Sequence, residues 1–276
     1  MIDAHNHLHD ARLLPHRPAI LAEVARLGIT RAVVNGTRED DWPAVAALAR
    51  EHSFVIPSFG LHPWHVATRS PDWLARLREN LDANPGAAIG EIGLDRWIAG
   101  HDPEMQREVF TAQLALAAER NVPATIHCLR AWGPLWDLIR IVPVPARGFL
   151  LHAYGGPGEM VRGFAARGAY FSFNAYFLHD RKAAQRAVFQ HIPADRLLVE
   201  TDAPDMRPPD DRNAHPLHDA SGAPLNHPAN LVLAYSALAE LRGLPVGQLS
   251  AQVAENFARL FGRTPDNPSP PSPRSE

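Results

Sequence analysis

The sequence predicts a (β/α)8 barrel, an α/β fold whose parallel sheet closes on itself. Three observations carry that reading. Short extended signals alternate with amphipathic helical ones along the 276 residues, giving eight strands that each feed a helix. The length is near that of a typical barrel. The turn after the first strand reads His5-Asn6-His7-Leu8-His9, whereas the rival, a doubly wound open sheet, usually carries a glycine-rich phosphate turn there.

The first strand is 1–5, with Ile2 its only bulky residue after Met1. A helix over 17–27 puts Ile20, Leu21, Val24 and Leu27 on one stripe, and Gly28 ends it. Strand two is 30–35, helix two 39–51 and strand three 54–61. The helix at 71–83 has Pro71 in its first turn and leads to strand four at 87–92. A longer helix, 103–121, precedes strand five at 122–127. The next helix, 131–141, has its start blurred by Gly133-Pro134, and strand six is 148–152. Helix 158–167 leads to strand seven at 169–173, and helix 181–191 to strand eight at 197–201. Two helices, 228–242 and 246–261, complete a barrel region spanning 1–262. Residues 205–226, rich in Pro, Asp and His, follow strand eight and are expected over the C-terminal mouth as a lid or rim. The Pro/Ser-rich tail, 263–276, is expected to be disordered.

Composition narrows the function. With 46% hydrophobic and 21% charged residues the chain reads as soluble and globular. It lacks a run of apolar residues long enough for a membrane span and shows no signal peptide. Its one cysteine, Cys128, excludes an internal disulfide and fits a reducing compartment, so a cytoplasmic location is expected. A formal charge of −3 argues against gripping long duplex DNA, which calls for a basic surface. Contact with nucleic acid should therefore be local, at a chain end. No protein partner is read from the sequence.

In a barrel the active site lies where the strands end. Alternate strand residues share a face, so His5 and His7 point the same way. Strand three runs into Gly60-Leu61-His62-Pro63 and strand four into Gly90-Glu91-Ile92-Gly93-Leu94-Asp95. Strands five and six end at His127 and His152, and strand eight at Glu200-Thr201-Asp202. One such residue can be a satisfied polar group in the core. Six strand ends converging on one rim need a shared partner, and a metal supplies it. Mixed imidazole and carboxylate donors suit Zn²⁺, Mn²⁺, Fe²⁺ or Ni²⁺ better than an all-oxygen Mg²⁺ cage.

These motifs, together with Asn256-x-x-x-Leu260-Phe261, resemble the TatD family of metal-dependent hydrolases within the amidohydrolase-like barrels. The resemblance spans residues 1–262, in order and at family-like spacing. It implies two divalent ions, with Mg²⁺ also among the possible metals. One would take His5, His7, Glu91 and Asp202, and the other Glu91, His127 and His152, with Glu91 as the bridge. It also implies a deoxyribonuclease or exonuclease acting on single strands or ends of nucleic acid.

Several positions depart from the family pattern. Arg130 falls one place late after His127, Arg96-Trp97 replaces a pair of tyrosines, and Ala153-Tyr154-Gly155-Gly156 and Leu225-Asn226-His227-Pro228 are altered. The ligands are kept and the substrate-facing residues change. Two rival readings follow: a barrel of the same kind hydrolysing a small amide, ester or phosphoester, and a metal-binding scaffold without turnover. The expected chemistry is hydrolysis by a hydroxide shared between ions ~3.5–4 Å apart, with Asp202 as base. Arg96, Arg130, Arg207 and Arg212 are candidates for holding a phosphate. Glu200 is expected to hydrogen-bond a ligand histidine, and His62 to contact substrate or orient a ligand. Cys128, next to His127 in the strand, should face the helix layer as a small core residue.

Overall fold

The computed structural model describes residues 1–262; the 263–276 tail lies outside the described residues. Eight strands pair in chain order, and every pairing is parallel: β1 (Ile2–Asn6), β2 (Arg31–Asn35), β3 (Val55–Phe59), β4 (Ala88–Asp95), β5 (Ala124–Leu129), β6 (Phe149–Leu151), β7 (Ala169–Phe173) and β8 (Leu197–Val199). The ring is completed just past β8. Asp202 N donates to His5 O at 3.0 Å and His7 N to Ala203 O at 2.8 Å. The architecture is the (β/α)8 barrel expected, with two further helices at its C-terminal end. None of the described helices is long and apolar enough to cross a membrane.

The helices are α1 (Arg17–Arg26), α2 (Trp42–Glu51), α3 (Trp73–Ala83), α4 (Pro103–Arg120), α5 (Trp132–Ile141), α6 (Val161–Ala166), α7 (Ala183–Val188), α8 (Leu231–Arg242) and α9 (Val246–Phe261). They cover the outer face of the sheet, so the strands are buried on both sides and read as nearly continuous apolar runs. Polar anchors set the register. Tyr235 Oη in α8 accepts from Ile2 N at 3.1 Å and donates to Ile2 O at 2.9 Å. Asn256 Nδ2 in α9 donates to Leu197 O at 2.8 Å and Ala194 O at 2.9 Å. The Asn256 motif is thus a clamp on β8, remote from any chemistry.

Element boundaries differ from the sequence reading for local reasons. Asn121 caps α4 in a left-handed conformation, φ 49°, and Val122 N bonds back to Ala117 O. Those residues belong to the helix end, so β5 starts two residues late and runs on to Leu129. β4 continues alongside it to Asp95. α2 starts at Trp42 because Glu39 leaves to bind Ser70 N and Oγ, at 2.8 and 2.6 Å. The helix expected over 181–191 shortens to α7, preceded by a separate 3-10 turn at Asp180–Lys182. β8 stops at Val199, so Glu200, Thr201 and Asp202 lie beyond the ladder.

Segment 205–226 lies along the rim of the mouth. Asp205 pairs with Arg12 beyond β1 at 2.9 Å, and Arg207 O accepts from His179 Nε2 beyond β7 at 3.2 Å. Two short strands, β9 (Leu217–His218) and β10 (Pro224–Leu225), form an antiparallel hairpin within it. Asn226 Nδ2 ties its end to Thr201 O at 2.8 Å.

Candidate metal centre

Two irregular strands aim the ligands. Between Asp3 and Asn6, β1 fits three steps against two of β2. Between Ile89 and Ile92, β4 does the same against β5. An extra residue in a strand bends it and redirects its side chains. The second bulge contains Gly90 and Glu91, and glycine is needed there. A Cβ on Gly90 would fall 1.8 Å from Thr125 Oγ1. Gly93, at φ 151°, meets the same limit, since its Cβ would lie 1.9 Å from His127 O. The Gly-Glu-x-Gly pattern therefore lets β4 and β5 approach closely enough to bring Glu91 and His127 together.

Glu91 is the centre. Its Oε2 lies 3.4 Å from His5 Nε2 and 3.3 Å from His7 Nε2. Its Oε1 lies 3.0 Å from His127 Nδ1, 2.9 Å from His152 Nε2 and 3.3 Å from His62 Nε2. Asp202 Oδ1 completes the first group, 3.4 Å from both His5 and His7 Nε2. Asp202 has a left-handed backbone, φ 56°, as do Arg130 beyond β5 and Ala153 beyond β6. Aspartate tolerates that region better than most residues.

Hydrogen bonds outside the cluster fix the imidazoles. His7 Nδ1 donates to Asn35 O at 2.7 Å and His127 Nε2 to Asp95 Oδ2 at 3.0 Å. When these rings are neutral, His7 Nε2 and His127 Nδ1 keep their lone pairs for an ion. His62 is the opposite case. Its Nδ1 accepts from Trp64 N at 3.2 Å, so Nε2 carries the proton and presents it to Glu91. His62 thereby steadies the carboxylate. His152 Nδ1 is 3.5 Å from Glu200 Oε1. The fully buried Glu200 is held by Ser172 Oγ and by Asn174 Nδ2 at 3.2 Å.

The electrostatics follow from this crowding. Burial disfavours ionised Glu91, but His152 and His62 outweigh it and hold its pKa well below the usual range. Burial likewise opposes charge on His7, His127 and His152, yet their carboxylate partners raise all three above the ordinary 6.5. His5 is lowered, by burial and then by His152, and burial brings His62 down to about 4. Without an ion, protons on three histidines offset the carboxylate charge.

A divalent ion fits this donor set. His5 is fully buried and neither of its ring nitrogens makes a hydrogen bond, although two carboxylates face it. A cation between them reconciles the three groups. Ligand atoms gather in three sets: His5, His7 and Asp202; His5, His152 and Glu200; and His62, Glu91 and His127. All six residues named as ligands from the sequence meet here, and Glu200, Asp95 and His62 adjoin them. The four arginines do not. Exposed Arg96 lines an outer cleft with Arg107 and Asp137 of α4 and α5. Arg207 pairs with Asp210 on the rim, and Arg130 and Arg212 are exposed.

Sequence reading missed three supports. Asp3 is buried, accepts from Thr201 N at 3.0 Å and Oγ1 at 2.6 Å, and burial pushes its pKa to about 7. Its signal was present, since Asp3, His5 and His7 repeat every second position. Asn35 O and Trp64 had no such pattern, because a carbonyl and an indole N–H are invisible to motif reading. Cys128 is buried with its thiol pKa pushed up by that burial, as expected of a core residue.

A parallel barrel with such a cluster at the carboxyl ends of its strands is the arrangement of a metal-dependent hydrolase. A family model described as TatD related DNase matches residues 2–262, and the chain belongs to that family. It is 31% identical over 263 residues to the 3'-5' ssDNA/RNA exonuclease TatD of Erwinia tasmaniensis, covering 95% of this chain and 99% of that protein. It is 28% identical to the uncharacterized metal-dependent hydrolase YjjV of Escherichia coli K12, covering 94% and 97%. The crystal structure of YjjV superposes with a TM-score of 0.86 at 26% identity, covering 95% of this chain and 98% of that one.

Proposed function

We propose that this protein holds two divalent ions and is an exonuclease that removes nucleotides from the 3′ ends of single-stranded nucleic acid. The observation that carries the reading is Glu91, whose two oxygens face two different sets of imidazoles. His5, His7, Glu91 and Asp202 would hold one ion; Glu91, His127 and His152 would hold the other. The donor types favour Zn²⁺, Mn²⁺, Fe²⁺ or Ni²⁺, with Mg²⁺ as the oxygen-preferring alternative. The names of the TatD relatives support the substrate and the polarity. The single cysteine supports a cytoplasmic setting.

Bound divalent ions lower the pKa of water and draw charge from a phosphoryl oxygen. The protein's own groups do the rest. Asp202, whose side chain keeps only 10% of its surface exposed, would take the proton of the attacking water. Asn35 O and Asp95 hold His7 and His127 in the tautomers that face inward. Glu200 steadies His152, and His62 steadies Glu91. Arg130 and Arg212, exposed near the mouth and without a side-chain partner among the described residues, would suit the phosphate backbone.

A substrate panel tests the reading. Single-stranded DNA, single-stranded RNA, duplex DNA, a small phosphodiester and small carboxylic esters and amides would each be incubated with metal and with chelator. Metal-dependent turnover of single strands supports it. Turnover of only the small esters or amides overturns the nucleic-acid substrate and leaves the metal centre standing.

A further inference from the structure

We propose that Trp64, on a rim it shares with Trp97 and Leu129, is a stacking shelf for the nucleobase next to the scissile phosphate. The inference rests on the single-strand reading above and names its substrate contact. Of the six tryptophans, Trp42 and Trp73 are buried, whereas Trp64 is 47% and Trp97 57% exposed. Isolated exposed apolar residues need no explanation. Here one carboxylate holds the Trp64 indole by its ring N–H and the Trp97 turn by its backbone N–H. Trp64 Nε1 donates to Asp95 Oδ2 at 2.7 Å, and Trp97 N donates to Asp95 Oδ1 at 2.6 Å. Leu129, 37% exposed, is the β5 residue paired with Asp95. The patch therefore sits at the ends of β3, β4 and β5, on the rim of the mouth.

The shelf is continuous with the metal centre. Asp95 Oδ2, which fixes the Trp64 indole, also accepts from His127 Nε2 at 3.0 Å. The Trp64 ring meets His62 edge to face, with centroids 5.0 Å apart and planes at 85°. Three polar contacts link the indole to Glu91 through Asp95 and His127, and the ring contact with His62 followed by the His62–Glu91 pair is a second, shorter route. A phosphodiester seated over Glu91 would bring its adjoining base within reach of the indole. An aromatic face stacks on any base, which suits an enzyme that takes successive nucleotides without reading them. Arg130, next to Leu129 and exposed, would meet the backbone of the same nucleotide. A net negative protein gains from such a contact, because stacking does not depend on a basic surface.

The test compares two single-stranded oligonucleotides, one ordinary and one with an abasic residue at its 3′ end, on each enzyme. The ratio of their kcat/KM values cancels any general damage to the site. The wild type should prefer the ordinary strand by roughly 5- to 100-fold. In Trp64→Ala that ratio should fall to near one, with the change mostly in KM. Trp64→Phe keeps a ring but loses the bond to Asp95, so it should retain much of the ratio while kcat drops on both strands alike. Trp97→Ala should lower the ratio by a smaller factor. An unchanged ratio in Trp64→Ala, or a wild type indifferent to the missing base, overturns the shelf while leaving the exonuclease reading intact. No cleavage of either strand by metal-loaded wild type overturns that reading, and the shelf with it.

Discussion

His5 and His152 stack face to face, with ring centroids 4.0 Å apart and planes 8° from parallel. One ring belongs to each of the two ligand groups that Glu91 joins. The groups are therefore neighbours that share a wall, and a change at Glu91 acts on both. Glu91→Ala should lose bound metal from both positions and drop activity by roughly 10³-fold or more, beyond the 10–100-fold typical of outer partners. Metal analysis of the purified variant checks this, and full occupancy would contradict it.

Asp202 and Glu200 should separate by role. Asp202→Asn keeps one acceptor oxygen and suits the left-handed backbone at φ 56°. It should fold, retain much of its metal and lose activity by roughly 10²–10⁴-fold, the range of a general base. Glu200→Gln acts chiefly through His152 and should lose roughly 10–100-fold. Turnover measured alongside metal content checks both, and a larger loss in Glu200→Gln with metal intact would reverse the roles.

Stability without metal should depend on pH in a defined direction. His7, His127 and His152 have raised pKa values, so their contribution is complete below 6.5 and is lost as pH rises through the folded values. Glu91 and Glu200 have lowered values, so theirs is complete above 4.5 and is lost as pH falls through the folded values. His5 and His62, lowered, add to the loss at acid pH. Metal-stripped protein should be most stable between these limits and weaken toward alkaline pH. Ions replace the histidine protons, so the gain in Tm on adding metal should grow from pH 6 to pH 8. Thermal unfolding of stripped and loaded protein measures it, and a gain that shrinks would contradict the account.

Cys128→Ala should leave turnover within a few-fold of wild type and cost about 1 kcal/mol of stability. Cys128 is buried and its thiol is held protonated by that burial. A hundredfold loss in a folded variant would show that the residue faces the chemistry.

The fold and the gathering of these side chains were legible for one reason: strand ends in a parallel barrel converge, and a His or a carboxylate at six of them is hard to place elsewhere. The bulges at Ala4–His5 and Gly90–Glu91 were not legible, because a register slip depends on the partner strand. Nor was the exchange of ends at β5, where Asn121 in a left-handed turn claims Val122 for the helix cap. Arg96 lies away from the mouth for a similar reason. Arg96 follows Leu94 in the outward alternation of β4 and ends among α4 and α5. A one-residue offset decides which side of the wall a long side chain takes.

Metal-dependent hydrolysis of single strands from the 3′ end is the reaction proposed for this protein. The direct measurement follows a 5′-labelled single-stranded oligonucleotide over time with Mn²⁺ or Mg²⁺, with chelator, and with Asp202→Asn. A ladder shortening one nucleotide at a time is expected, abolished by chelator and nearly absent in the variant. An intact oligonucleotide with metal-loaded wild type, or a ladder that persists equally in Asp202→Asn, would contradict it.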